Sequence, residues 1–106
     1  MINNNLNTLS IIRETANKII PNSKIVLFGS RARRDNSSDS DYDFLIITQE
    51  TIDIRKKRTL QSIIRKELAF LKIPADILIQ SEEEINSKIE ITSHILKQVI
   101  KEGVFI

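Results

Sequence analysis

The chain has 106 residues, 41% apolar and 28% charged, with a net charge of +2, no cysteine and only two glycines. Its length suits one domain covering residues 1–106, and the missing cysteine excludes both a disulfide framework and a Cys-ligated metal centre. Gly29 and Gly103 are too few and too far apart for either Gly-rich phosphate loop, G-x-G-x-x-G or G-x-x-x-x-G-K-[ST].

From Leu6 to Ile20 the residues Leu6, Leu9, Ile12, Ala16 and Ile19 recur at helical spacing, and Pro21-Asn22 ends that helix. Lys24–Phe28 is a short apolar run that stops at Gly29, the pattern of a buried strand. Ser30–Arg34 predicts a short helix, Asp35 to Ser40 a turn, and Tyr42–Thr48 a second strand. A long helix over Ile52–Leu71 carries Leu60, Ile63, Ile64, Leu68 and Leu71, and Pro74 separates it from a third strand, Ala75–Ile79. Ser81 before Glu82, Glu83 and Glu84 reads as an N-cap with acids in the first turn. The last stripe, Ile85, Ile89, Thr92, Leu96, Val99 and Ile100, runs on to Gly103 as the helix C-cap. The pattern predicts an α/β chain, with helices packed on a small sheet.

Two features of one stretch carry chemistry. A strand ending in Gly29-Ser30 at a helix start offers bare backbone N–H groups and a hydroxyl, which suit an anion such as phosphate. Ten residues later, Asp41 and Asp43 open the next strand. Side chains two apart on a strand share a face, about 7 Å apart. Carboxylates gathered in this way repel unless a cation lies between them, and hard oxygen ligands suit Mg²⁺ or Mn²⁺. Asp76 lies inside the apolar run Pro74–Gln80, where a carboxylate is costly unless paired, protonated or metal-bound. If its strand adjoins Tyr42–Thr48, three carboxylates can hold two metals about 3.5–4 Å apart, the clamp for an in-line phosphoryl displacement. Asp76 would then lie nearest the nucleophile and take its proton. Arg31, Arg33 and Arg34 flank this region with guanidinium forks suited to phosphate oxygens.

Gly29-Ser30, the ten-residue spacing and Asp41-Tyr42-Asp43 resemble the signature of the DNA polymerase β-like nucleotidyltransferase superfamily. The chain is similar in particular to its minimal nucleotidyltransferases, the MNT antitoxins that partner HEPN-domain toxins. The resemblance runs from the first helix to the closing Lys101-Glu102-Gly103-Val104-Phe105-Ile106. It implies an α+β fold with a small mixed sheet flanked by helices, two Mg²⁺ ions (or Mn²⁺), and transfer of AMP from ATP with release of pyrophosphate. The implied acceptor is a tyrosine hydroxyl of a HEPN toxin. By the same resemblance Gly29 and Ser30 bind the triphosphate, Asp41 and Asp43 the metals, and Asp76 is the third catalytic carboxylate. Arg34 departs from the pattern, since many relatives have glycine there. Tyr42 is bulkier than the usual aliphatic residue and is expected to point away from the metals.

Two other functions compete with this one: neutralisation of the partner by binding alone, and transfer to a small molecule such as an aminoglycoside. The second would need another domain, or an oligomer, to enclose its substrate. The run Arg55-Lys56-Lys57-Arg58 reads as a solvated face or as a contact for an acidic partner or RNA. Neither the charge balance nor the few scattered aromatics directly indicates nucleic acid. His94 is expected at the surface of the last helix. With no secretory signal and no apolar run near membrane-spanning length, the expected location is the cytoplasm, away from membranes.

Overall fold

The computed structural model describes residues 4–33, 40–88, 99 and 101–106, without the side chains of Asn4, Asn5, Leu6, Ser30 and Lys88. The expectations for Arg34, for most of the turn before Ser40, for His94, and for Ile89, Thr92, Leu96 and Ile100 lie outside the described residues. In chain order the elements are α1 (Asn4–Ile19), β1 (Lys24–Phe28), α2 (Gly29–Arg33), β2 (Tyr42–Thr48), α3 (Ile54–Phe70), β3 (Ala75–Ser81), α4 (Glu82–Lys88) and β4 (Val104–Phe105). They form a mixed four-stranded sheet in the order β3-β2-β1-β4. β1 is antiparallel to β2 and β4, whereas β2 and β3 run parallel.

Strand alternation divides the sheet into two faces. Ile25, Leu27, Tyr42, Phe44, Ile46, Ile77 and Ile79 point to one side, where Ile12 and Ala16 of α1 and Ile64 and Leu68 of α3 complete the main core. Val26 and Leu45 point to the other side and pack with Val99, Ile47, Leu78 and Ile85. Tyr42 is therefore turned into the core, away from the face that carries its acidic neighbours. Among the described residues no helix is long and apolar enough to cross a membrane.

The fourth strand corrects the three-strand expectation. Val104 and Phe105 pair with Leu27 and Val26, and the Ile106 N–H donates to Ile25 O at 3.0 Å. Two residues are too short to show alternation, so only the pairing reveals them. Gly103 closes the preceding turn by donating to Val99 O at 2.7 Å. It is glycine for lack of room, because a Cβ there would overlap Val26 Cγ1 and the Val99 carbonyl oxygen.

Two caps fix the ends of β3. At its start, Lys72 adopts φ 62°, Ile73 N–H reaches Leu68 O and Lys72 N–H reaches Ala69 O, both at 2.9 Å. This is a Schellman closure of α3 with a lysine in the left-handed position. At its end, Ser81 forms a reciprocal capping box with Glu84: Glu84 N–H donates to Ser81 Oγ at 3.0 Å and Ser81 N–H to Glu84 Oε1 at 2.8 Å. Lys57 Nζ donates to the other Glu84 oxygen at 2.7 Å.

Lys57 is only 8% exposed, which corrects the reading of Arg55–Arg58 as one solvated run: Arg55, Lys56 and Arg58 are exposed, but Lys57 is turned inward. Burial alone would push the Glu84 carboxyl up, but hydrogen bonds from Lys57 and Ser81 hold it below its ordinary value of 4.5. Its stabilising contribution is thus present above that value and lost as pH falls through the lowered one. Ser81→Ala is expected to cost about 1 kcal/mol in urea titrations near neutrality. Glu84→Gln should flatten the acid limb of the stability curve, and an unchanged acid limb would refute this account of the box.

Candidate active site

The site forms where β2 begins, between β1 and β3. Because Tyr42 and Phe44 face the main core, Asp43 between them faces the opposite side. Phe28 is the register partner of Asp43 on β1 and Asp76 is its partner on β3. The parallel register is set from the α3 closure: after Ile73, Pro74 O accepts from Tyr42 N–H at 2.9 Å, and Asp76 follows two residues later. Asp41 immediately precedes the strand, near enough for its charge to act on Asp43.

These positions move the electrostatic cost from where the sequence suggests it. Asp76 was expected to be a carboxylate within an apolar run, but it is exposed near the start of an edge strand. Asp43 is the half-buried member. Burial raises its carboxyl above the ordinary value of 3.8, the charges of Asp76 and Asp41 raise it further, and Arg33 partly offsets them. The three aspartates therefore share one electrostatic field, centred on Asp43. Among the described residues no group of three or more acidic or histidine side chains is placed to hold a metal ion as it stands. In chemistry, three carboxylates are hard oxygen donors of the kind a divalent cation takes, and its charge would offset both the burial and the neighbouring carboxylates that hold Asp43 up.

Gly29 completes the centre of the site by what it lacks. Its φ is 74°, and a Cβ built there would overlap Asp43 Oδ2 and lie 3.1 Å from Asp43 Cγ. Only glycine combines this backbone conformation with so close an approach of the carboxylate. Ser30 follows as the second residue of α2.

The two arginines differ in their engagements. Arg31 donates from Nε and one terminal nitrogen to Ser40 O, at 3.2 and 2.8 Å, and its guanidinium lies 4.0 Å from the centre of the Tyr42 ring. Arg33 Nη1 pairs with Glu102 Oε2 at 3.2 Å while its charge is also felt at Asp43. The reading of the sequence missed the parts played here by Ser40 O, Pro74 O and Glu102. Two are backbone atoms with no residue signature, and the third is distant in sequence.

Asp43 and Asp76 thus meet across the starts of two neighbouring strands, against a glycine turn, in a small mixed sheet. The chain belongs to the nucleotidyltransferase family: the model of the nucleotidyltransferase domain matches residues 9–106. It is 34% identical over 80 residues, 76% of this chain and 73% of the relative, to a Methanocaldococcus jannaschii protein named as a protein adenylyltransferase. Among solved structures it is similar to a toxin-antitoxin complex with AMP-PNP, at 25% identity and TM-score 0.63, over 93% of this chain and 71% of that one. It also shares its fold with a chain of the complex between tri-AMPylated Shewanella oneidensis HEPN toxin and MNT antitoxin, at 22% identity and TM-score 0.56, over 95% and 69% of the two chains. A nucleotidyltransferase structure from Sulfolobus solfataricus shares the fold as well, at 21% identity and TM-score 0.60, over 94% and 77%.

Proposed function

We propose that this enzyme transfers AMP from ATP to a hydroxyl group of a partner protein, a HEPN-domain toxin that it neutralises. The observation that carries this reading is the cross-strand register of Asp43 with Asp76, with Asp41 two residues away and Gly29 against the Asp43 carboxylate. In the reaction the acceptor oxygen attacks the α-phosphorus, the bond to the bridging oxygen on the β-phosphate side breaks, and pyrophosphate leaves. Asp76, exposed at the edge of the trio, accepts the acceptor's proton. By this reading Gly29 and Ser30 hold the triphosphate, and Arg33, whose charge reaches Asp43, adds positive charge beside it. Asp41, Asp43 and Asp76 would hold Mg²⁺ or Mn²⁺, which when bound neutralises charge on the triphosphate and the leaving pyrophosphate. The likeness to the M. jannaschii protein adenylyltransferase and to the AMPylated toxin complex supports this choice of nucleotide and acceptor.

The test is intact mass of a co-expressed HEPN protein after incubation with ATP, Mg²⁺ and this chain. Added mass in whole AMP units is the expected result. A tight complex with an unmodified partner would instead favour neutralisation by binding. That second reading draws on a separate observation: α3, packed on the other face of the sheet, exposes Ile63, Phe70 and Leu71 beside Arg55, Lys56, Arg58, Arg65 and Lys66. Such a basic and apolar surface suits an acidic protein partner.

A further inference from the structure

We propose that Arg31 is a positioning residue for Asp41, holding the backbone that aims its carboxylate, rather than a ligand of the triphosphate. Asp41 is exposed and lies just outside the strand ladder, so β-pairing alone does not fix it. Its side-chain direction follows from the two peptide planes that flank it, since each plane is rigid and only φ and ψ at Asp41 connect them. The plane after Asp41 is held at its nitrogen end, where Tyr42 N–H donates to Pro74 O at 2.9 Å. The plane before Asp41 is held at its oxygen end, where Ser40 O accepts two N–H groups of Arg31. With both planes anchored, the Cα–Cβ bond of Asp41 keeps one direction, and only the rotamers compatible with that direction are left to its carboxylate.

The geometry also explains why this residue is arginine. Two donors of one planar fork converge on a single carbonyl, while the flat face of the same group rests over the Tyr42 ring. A lysine ammonium can donate to the carbonyl but presents neither the fork nor a flat stacking face. Tyr42, whose ring is fixed by the core, thus serves as the platform for the arginine that holds its neighbour's backbone. A tyrosine between two metal-site aspartates thereby acquires a use that an aliphatic residue could not supply.

This inference rests on the proposed role of Asp41 as a metal ligand, so the deciding measurement does not depend on AMP transfer. Mn²⁺ binding without nucleotide, followed by electron paramagnetic resonance, is compared for the wild type, Arg31→Ala and Arg31→Lys. Loss of a group that orients a ligand typically weakens metal affinity or activity by about 10–100-fold, and that loss is expected for Arg31→Ala, with partial recovery in Arg31→Lys. With saturating Mn²⁺, kcat should fall while KM for ATP stays within about twofold.

An unchanged Mn²⁺ affinity with a raised KM for ATP would overturn the proposal and make Arg31 a phosphate ligand. Unchanged affinity, kcat and KM with only a lower Tm would overturn it in favour of a purely structural latch. If Arg31→Ala does not fold, Arg31→Lys carries the same comparison. Should the wild type bind Mn²⁺ yet transfer no AMP, the function proposed above falls and the Mn²⁺ comparison still decides this one. A wild type that binds no Mn²⁺ removes the assignment of Asp41 and this inference with it.

Discussion

Asp43→Asn is expected to lose AMP transfer by about 10²–10³-fold, the scale seen when a group that stabilises transition-state charge is removed. It should nevertheless melt no lower than the wild type at neutral pH in the absence of divalent cations. The two results share one cause. Burial and the neighbouring carboxylates raise Asp43 above its ordinary 3.8, so the folded protein holds that proton more tightly than the unfolded chain does. Stability from this group is therefore greatest below that value and declines as pH rises through the raised one, after which the full repulsion remains. Asparagine is uncharged throughout, so the variant should match the wild type in acid and exceed it near pH 7. A bound divalent cation reverses the sign: Mg²⁺ should raise the wild-type Tm by mass action but leave Asp43→Asn nearly unmoved. Thermal melts with and without Mg²⁺ at two pH values, together with label transfer from α-labelled ATP, check all parts. Label transfer close to wild type in Asp43→Asn would remove the carboxylate trio from the reaction.

The positions of these aspartates show which parts of the site a sequence can disclose. Asp41-Tyr42-Asp43 is legible because strand alternation is local: the residues that send Phe44 and Ile46 inward also send Asp43 outward. That Asp76 belongs with them rests on an apolar run and an assumed neighbouring strand. The register that pairs it with Asp43 is set by the Lys72 turn and the Pro74 carbonyl, and neither carries a pattern of its own. The electrostatic load was misplaced for the same reason. An acid among Ile77, Leu78 and Ile79 reads as buried, but β3 is an edge strand and Asp76 lies near its open start. Lys57 illustrates the converse. Among four consecutive cations, inward direction is decided by helical phase and by Glu84 across the fold, so charge alone hides the one that is buried. The capping box at Ser81 is local throughout, since Ser-x-x-Glu spacing selects Glu84 from three successive glutamates, whereas the added bond from Lys57 is a matter of three-dimensional reach.

Gly29→Ala is expected to destabilise the fold by about 2–5 kcal/mol and to abolish transfer, although the change adds a single methyl group. Two costs combine. An L-residue in the left-handed region at φ 74° loses about 1–2 kcal/mol, and overpacking against the neighbouring side chain costs about 1–3 kcal/mol more. The neighbour is Asp43 Oδ2, which a methyl at this position would overlap. Relief requires the carboxylate to rotate or β2 to shift from β1, and either movement displaces Asp43 from Asp41 and Asp76. Stability and function are thus coupled through one close approach, and a double-mutant cycle can separate them. Asp43→Ala removes the overlapping oxygen and leaves only its Cβ, 3.2 Å from the new methyl, so Gly29→Ala placed on that background should cost about 1–2 kcal/mol, chiefly the backbone part. Urea titrations of the four proteins supply the coupling. Additive costs would mean that the glycine is needed only for its backbone conformation, leaving the carboxylate free to move without it. Coupling near the full overpacking cost would mean that Gly29 holds Asp43 in place by leaving it a slot of the required size, so the scarcity of glycine in this chain marks where its active-site carboxylate must fit.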